Sequence, residues 1–175
     1  MDKEITIHIE WDGPFVMEGT GRQIAKLKHP KKDKGVYQIY GGNSIYGGRS
    51  LLYIGLTANQ SFAHRIAKQE WRQIWKWNRD AGRIEVYVGR LSGHETPKTS
   101  IWNQHISFVE RLLIYSHQPP LNTQKNFRTA DGLKGIHVLN WGKYRDLLPE
   151  VSGARWTPRY DKVKDYHQFG DEHKL

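Results

Sequence analysis

The chain reads VYQIY at residues 36–40 and LLYIGL at residues 51–56, and these two runs decide the fold. Both are rich in the aromatic and branched side chains that favour strands. The ten residues between them, GGNSIYGGRS at 41–50, are typical of a turn. The pattern therefore predicts a β-hairpin with an enlarged, glycine-rich tip. It also places Tyr37 and Tyr53 on adjacent strands, where both rings can project from one face.

C-terminal to the hairpin, the hydrophobic periodicity predicts two helices and a further strand. Residues 61–78 separate into an apolar face and a basic face, which is typical of an amphipathic helix. Residues 83–91 alternate as a strand does, and 101–116 predict a largely buried helix. The order strand, strand, helix, strand, helix favours an α+β domain. Its expected sheet is small and antiparallel, with about three core strands flanked by helices.

The two ends of the chain read as extensions of this core. Residues 5–11 alternate apolar and polar side chains and predict a strand, which Asp12-Gly13-Pro14 is expected to end in a turn. The basic, proline-interrupted stretch 26–34 predicts a loop. We therefore divide the chain into an N-terminal extension at 1–34, a core at 35–124 and a C-terminal extension at 125–175 on the same domain. From about residue 161 that extension is expected to be a polar tail.

Composition narrows the range of partners. The 175 residues carry 27 Lys and Arg against 18 Asp and Glu, a formal net charge of +9, which predicts an anionic partner. Cysteine is absent, and this excludes disulfides, thiolate metal sites and a cysteine nucleophile. No apolar stretch approaches the length of a signal peptide or a membrane span. A cytoplasmic protein is therefore expected.

Two familiar motifs can be set aside. The triplet Gly48-Arg49-Ser50 resembles the end of a phosphate-binding loop, but the residues that follow predict a strand where that motif opens a helix. Glu85 lacks the lysine expected two residues later in nucleases of the Asp…Glu-x-Lys type. Neither nucleotide triphosphate binding nor that nuclease class is indicated.

Several other side chains are unusual for scaffolding, although each has a structural interpretation. Tyr37 and Tyr53 could simply pack across the hairpin, and Arg65 could lie on a solvated helix face. Glu110 is placed at the edge of an apolar helix surface, where an unpaired carboxylate is costly, so it needs an arginine or a metal ion as partner. Asn122 would ordinarily be a turn residue.

Taken together, these residues resemble the GIY-YIG nuclease family. The landmarks appear in the family's order over about half of the chain, residues 35 to 124. They are Gly35-Val36-Tyr37, Tyr53-Ile54-Gly55, Arg65 on the following helix, Glu110 on the next helix, and Asn122 after Pro119-Pro120-Leu121. The likeness is nearest to stand-alone or restriction-type members.

The resemblance implies a metal-dependent endonuclease that hydrolyses phosphodiester bonds in DNA. It makes Tyr37 the general base, although a phenol with a pKa near 10 is only about 0.1% ionised at neutral pH and needs help from its surroundings. Arg65 would bind the phosphate, and Tyr53 would hydrogen-bond the phosphate or the attacking water. Asn122 would orient its neighbours. Glu110 would hold one Mg²⁺ or Mn²⁺, bound weakly without substrate.

Further residues are expected to form the surface that binds nucleic acid. The protein is expected to be a monomer or a homodimer. Basic side chains that would contact the DNA backbone are Lys68, Arg72, Lys76, Arg79, Lys31 and Lys32. Leu56 and Gln69 occupy positions where relatives often carry proton-handling groups, and His64 or Lys68 could replace them. Two alternatives stay open: a binding module of the same fold that has lost catalysis, and a nuclease directed at RNA.

Overall fold

The structure, a computed structural model, describes residues 4–17, 23–66, 83–92, 99–123 and 132–156. The strands are β1 (Ile5–Met17), β2 (Gly35–Asn43), β3 (Gly47–Thr57), β4 (Ile84–Ser92), β5 (Ile136–Gly142) and β6 (Glu150–Ser152). The helices are α1 (Phe62–Arg65), α2 (Thr99–His117) and α3 (Gly153–Trp156), with one 3-10 turn at Ile24–Lys26.

All six strands form one mixed sheet in the order β3-β2-β4-β1-β5-β6. Neighbouring strands run antiparallel except β1 and β5, which pair in parallel from Ile5 opposite Ile136 to Trp11 opposite Gly142. The expected fold class, a small antiparallel sheet of about three core strands, is therefore wrong. The strands β3, β2 and β4 are adjacent as a core would require, but they make up only half of the sheet.

The reason for the larger sheet is the burial of β4. Its first six residues are buried, with side chains pointing to both faces. If β4 were the edge of a three-stranded sheet, one row of its backbone groups would be unpaired within this buried region, which is costly. The N-terminal strand β1 pairs with that row, and β5 then pairs with β1. Local alternation predicts that a strand exists, but it does not say which strand will be its neighbour.

The N-terminal strand also runs further than the sequence predicts. Instead of turning at Asp12-Gly13-Pro14, β1 continues to Met17, and its pairing with β4 shifts register between Asp12 and Phe15. A bulge of this kind accommodates a proline inside a strand, since the extra residues leave the ladder locally. The expectation of a turn at this point is wrong.

The sheet carries an apolar core on each face. The larger core holds α2 and the β5–β6 region against side chains such as Val36, Tyr40 and Ile54. The smaller core holds Ile24, Leu27 and Phe62 against Tyr37 and Val86. Alternate residues of β2 therefore belong to opposite faces, as the pleat of a strand requires.

Other expectations about the elements can be compared directly. The hairpin exists, but its tip is tighter than expected because β2 runs to Asn43 and β3 begins at Gly47. The helix predicted at 101–116 is α2, and the strand predicted at 83–91 is β4. Of the helix predicted at 61–78, α1 is described, while residues 67–78 lie outside the described ranges. Within those ranges, no helix combines the length and apolar character needed to cross a membrane.

Candidate functional site

Tyr37 and Tyr53 lie side by side on the face of the hairpin that carries the smaller core. Tyr37 is opposite Gly55 and Ile39 is opposite Tyr53 in the β2–β3 register. The two ring centroids are 6.1 Å apart, with the ring planes inclined by 36°. Tyr37 is fully buried, whereas Tyr53 is half-buried at the edge strand β3. The sequence-based expectation that both rings share a face agrees with this geometry.

Glycine is required for steric reasons at Gly35 and Gly55, one in each of the two motifs. A Cβ on Gly55 would lie 2.5 Å from the Tyr37 hydroxyl oxygen and 2.7 Å from a ring carbon of Tyr53. The absent side chain is therefore what lets both rings occupy the same place. Gly35 has φ +145°, and a Cβ there would overlap the carbonyl oxygen of Gly89 in β4. These two glycines set the positions of the tyrosines rather than taking part in chemistry.

The helix α1 is anchored beside Tyr37 at its first residues. The backbone N–H of Phe62 donates to the Asp33 carbonyl at 2.8 Å, and the N–H of Ala63 donates to the Leu27 carbonyl at 3.0 Å. The Phe62 ring meets the Tyr37 ring edge-on, with centroids 6.5 Å apart. Arg65 lies one turn further along this helix and is half-buried. The anchoring thus places a guanidinium near the tyrosine pair.

An ion pair that the sequence did not single out holds this anchor. The Arg90 Nη2 lies 2.8 Å from the Asp33 carboxylate, and the Arg90 guanidinium lies 5.7 Å from the centre of the Phe62 ring. The other Asp33 carboxylate oxygen accepts from the His29 backbone N–H at 2.9 Å. The sequence signals were an acid within a basic run and a charge late in an apolar strand, both of which are also common in solvated segments.

Glu110 and Arg65 both act on the Tyr53 hydroxyl. Burial raises the pKa of Tyr53 above its usual value, the Glu110 carboxylate raises it further, and the Arg65 guanidinium opposes them. Glu110 is itself only 4% exposed on α2. Because α1 belongs to one face of the sheet and α2 to the other, the three groups meet around the edge strand β3. The structure thus brings Tyr37, Tyr53, Arg65 and Glu110 into one neighbourhood.

Asn122 belongs to the same edge but acts on the backbone. Its side-chain carbonyl accepts from the Ile54 N–H at 2.9 Å, and its amide donates to the Ile54 carbonyl at 2.8 Å. The Leu121 N–H also donates to the Leu52 carbonyl at 3.0 Å. The amide side chain therefore pairs with β3 as a neighbouring strand would. It holds the backbone between Tyr53 and Gly55, so its contacts give it a positioning role.

The Tyr37 hydroxyl is an unusual polar group. It has no contact with solvent and makes no hydrogen bond to any of the described residues. A buried polar group left without a partner costs about 1–3 kcal/mol of stability, so such groups are rare and need an explanation. Either this hydroxyl is kept for a ligand, or the fold tolerates its cost.

A second group of the same side-chain types lies on the opposite face and contrasts with the first. Tyr40 and Tyr87 meet edge-on at 5.5 Å, and the Arg145 guanidinium lies 3.9 Å from the centre of the Tyr40 ring. Arg145 donates to the Glu85 carboxylate at 2.6 Å, and the Tyr40 hydroxyl donates to the Gln38 side-chain oxygen at 2.6 Å. Glu85 is thus a structural partner of Arg145.

Some of the remaining predicted residues lie on the described surface and others lie outside the described ranges. His64 is exposed on α1, and Lys31 and Lys32 are exposed in the turn before β2. Leu56 is partly buried and packs against the larger core. Four predicted DNA-contacting residues and one departure from the family pattern lie outside the described ranges: Lys68, Arg72, Lys76, Arg79 and Gln69.

The donor set for a metal is small. Among the described residues there is no group of three or more His, Cys, Asp or Glu side chains that could hold an ion by themselves. Glu110 supplies one buried carboxylate. One carboxylate fits a Mg²⁺ ion that keeps several waters and takes its remaining ligands from substrate phosphate oxygens.

Comparison with known proteins gives no relative. No protein-family model, no curated protein and no solved structure matches this chain. The resemblance to the GIY-YIG nucleases therefore rests on the quoted sequence motifs alone.

Proposed function

We propose that the chain is a GIY-YIG-type endonuclease that hydrolyses phosphodiester bonds in DNA with one divalent metal ion. The observation that carries the proposal is the convergence of two tyrosines, Arg65 and Glu110 at the β3 edge, with the Tyr37 hydroxyl left without a hydrogen bond in the described structure. The net charge of +9 supports a polyanionic substrate.

Each side chain has a chemical task in this reaction. The attacking water forms a new bond to phosphorus and gives its proton to the Tyr37 phenolate as the bond to the leaving oxygen breaks. Arg65 pairs with the phosphoryl oxygens through its planar fork. Tyr53, whose pKa is raised, stays protonated and donates to the phosphate. The leaving oxygen takes its proton from water.

Glu110 would hold the metal. When bound, a divalent cation at this carboxylate draws charge from the phosphoryl oxygens and favours the phenolate form of the nearby tyrosine. Because Tyr37 has no solvent contact, we expect substrate binding to admit the attacking water beside its hydroxyl. We expect the enzyme to act in the cytoplasm, in a restriction or defence role, as a monomer or a homodimer.

One observation favours the alternative of a DNA-binding module that has lost catalysis. The Tyr37 hydroxyl is closed to solvent, and a closed hydroxyl cannot act on water unless the site opens. In this alternative the cluster is a structural remnant. The two functions share a positive surface, so binding assays alone do not separate them.

The deciding experiment is cleavage of supercoiled plasmid by the full chain with MgCl₂ and with EDTA. We expect magnesium-dependent nicking or linearisation that is lost in Tyr37→Phe and in Glu110→Ala. Tyr40→Phe, a buried tyrosine on the same strand, is the matched control and should cleave. Replacing the plasmid with an RNA duplex tests whether the substrate is DNA or RNA. Equal residual cleavage in all three variants would refute the site, and plasmid binding without cleavage would favour the inactive module.

A further inference from the structure

The hairpin tip between β2 and β3 is rigidly built. The Asn43 side-chain oxygen accepts from the backbone N–H groups of Ile45 and Tyr46 at 2.9 and 3.0 Å. The Ser50 hydroxyl lies 2.9 Å from the Tyr46 carbonyl and 3.1 Å from the Gly47 carbonyl. These bonds define a single turn conformation, and side chains on such a turn lose little freedom when they bind a partner.

This rigid tip holds two large apolar side chains out in solvent. Ile45 is 83% exposed and Tyr46 is 66% exposed, more than any other large hydrophobic side chain in the described residues. Single exposed apolar residues are common, but an adjacent pair on a supported turn is a feature of contact surfaces. The fold gains no core from these two residues.

Gly48 leaves the backbone of the tip accessible. Its backbone conformation is one that any residue adopts, and a Cβ built there would meet nothing within 4 Å. Gly48 lies in a β-bulge, where Gly48 and Arg49 are opposite the single residue Gly42. The backbone at Gly48 is therefore uncovered, and another molecule has room to approach it closely.

The charges at the tip favour a nucleic acid as that molecule. Residues 41–50 contain Arg49, which is exposed, and no acidic residue. Duplex DNA offers a groove that admits a two-stranded ribbon, and apolar side chains at a ribbon tip can wedge against base steps while backbone and arginine meet phosphates.

We propose that this tip enters a groove of duplex DNA, with Ile45 and Tyr46 against the bases and the bare backbone at Gly48 beside a phosphate, assisted by Arg49. The proposal rests on the proposed function in that the partner is DNA. It adds the element that grips the duplex away from the scissile bond.

The length of β2 gives the distance between Tyr37 and the hairpin tip. Tyr37 and Asn43 are six residues apart on β2, which spans about 20 Å at roughly 3.3 Å per residue. That distance corresponds to about six base pairs at roughly 3.4 Å per step. The contact is therefore expected within about six base pairs of the phosphate that is cut.

The test measures binding of the full chain to a fluorescein-labelled duplex of mixed sequence in EDTA by fluorescence anisotropy. The double variant Ile45→Ala/Tyr46→Ala should bind about tenfold more weakly, the size expected for losing one or two base contacts. Gly48→Val should weaken binding similarly with an unchanged Tm, because the fold has room for the side chain. Leu148→Ala, at an exposed apolar residue elsewhere, is the control and should bind normally.

The outcomes separate this proposal from the proposed function. Weaker binding by both tip variants supports the tip contact even if the wild type cuts nothing. Wild-type binding by both variants overturns the tip contact even if cleavage occurs. A change in oligomeric state by sedimentation with DNA binding intact would assign the tip to protein contacts instead. Where cleavage occurs, the hydroxyl-radical footprint of the tip variants should lose protection within about six base pairs of the cut, compared with the wild type.

Discussion

Two regions of the molecule, one face of the sheet and its β3 edge, carry the same types of side chain with different hydrogen bonding. On one face, Tyr40, Tyr87, Arg145 and Glu85 satisfy one another, and the Tyr40 hydroxyl is bonded to Gln38. Around the β3 edge lie Tyr37, Tyr53, Arg65 and Glu110, and the Tyr37 hydroxyl has no hydrogen bond to the described residues. Residue types alone therefore do not separate these two clusters. The hydrogen bonding of the Tyr37 and Tyr40 hydroxyls does separate them.

The largest expected contrast lies between the two glutamates. Glu85→Ala removes the carboxylate 2.6 Å from the Arg145 guanidinium and leaves the more exposed Asp146 carboxylate at 3.7 Å, so we expect a loss of about 3 kcal/mol of unfolding free energy. Plasmid cleavage by the folded fraction should be unchanged. Glu110→Ala should abolish cleavage. Urea denaturation and plasmid nicking measure the two effects. Loss of cleavage in Glu85→Ala below its unfolding transition would show that both clusters serve the reaction.

The next effect is expected at the glycine between the two rings. Gly55→Ala forces a Cβ against both the Tyr37 hydroxyl and the Tyr53 ring, and overpacking of this kind costs about 1–3 kcal/mol. Cleavage should fall together with stability, because both rings must shift. Gly48→Ala is the control and should leave the urea midpoint unchanged. An unchanged urea midpoint in Gly55→Ala would show that the two rings do not pack closely against residue 55.

Loss of the Arg90–Asp33 ion pair, which holds the start of α1, should have a smaller effect on stability. Arg90→Met removes the partner of Asp33 while keeping an apolar stem over Phe62, and we expect a loss of about 1–2 kcal/mol. Because α1 carries Arg65, kcat for DNA cleavage should fall more than affinity for the duplex. Lys143→Met, which removes an exposed pairing with Asp12, is the control. Unchanged kcat in Arg90→Met would restrict this ion pair to a structural role.

The smallest effect is expected in the pH dependence of stability. His117 accepts from the Leu148 N–H through Nε2, and its Nδ1 lies 2.9 Å from the Leu113 carbonyl. Burial lowers the pKa of His117 below its usual value of about 6.5. The unfolded chain therefore takes up this proton first as pH falls below about 6.5, so stability should decrease from pH 7.5 to 5.5. His117→Gln should flatten that slope, whereas His64→Gln at an exposed site should not. An equal slope in both variants would exclude His117 as the cause.

The sequence predicted the parts of the fold that depend on local pattern. Alternation and turn residues located the hairpin, β4 and α2, because each is specified within a short window. The pairing of β1 with β4 and β5 depends on contacts between distant segments, so the six-stranded sheet was not predicted. The continuation of β1 past Pro14 was missed because a bulge, which no local pattern announces, absorbs the proline.

The candidate site shows the same division. The motif residues Tyr37, Tyr53, Arg65 and Glu110 could be selected because their types and order resemble those of the GIY-YIG family. The backbone pairing of Asn122 with Ile54 and the Arg90–Asp33 pair could not be predicted, because they arise only when distant segments meet. The contrast between Tyr37 and Tyr40 was also hidden, since both read as strand tyrosines three residues apart.

The most direct measurement is therefore the paired unfolding free energy and cleavage rate of Tyr37→Phe and Tyr40→Phe. Removing the Tyr37 hydroxyl takes away a buried group without a bond, so we expect stability to rise by about 1 kcal/mol while cleavage falls by roughly 10²–10⁴. Removing the Tyr40 hydroxyl breaks its bond to Gln38, so we expect stability to fall by about 1 kcal/mol with cleavage retained. A Tyr37→Phe protein that is less stable and still cleaves DNA would contradict the assignment of this hydroxyl to the reaction.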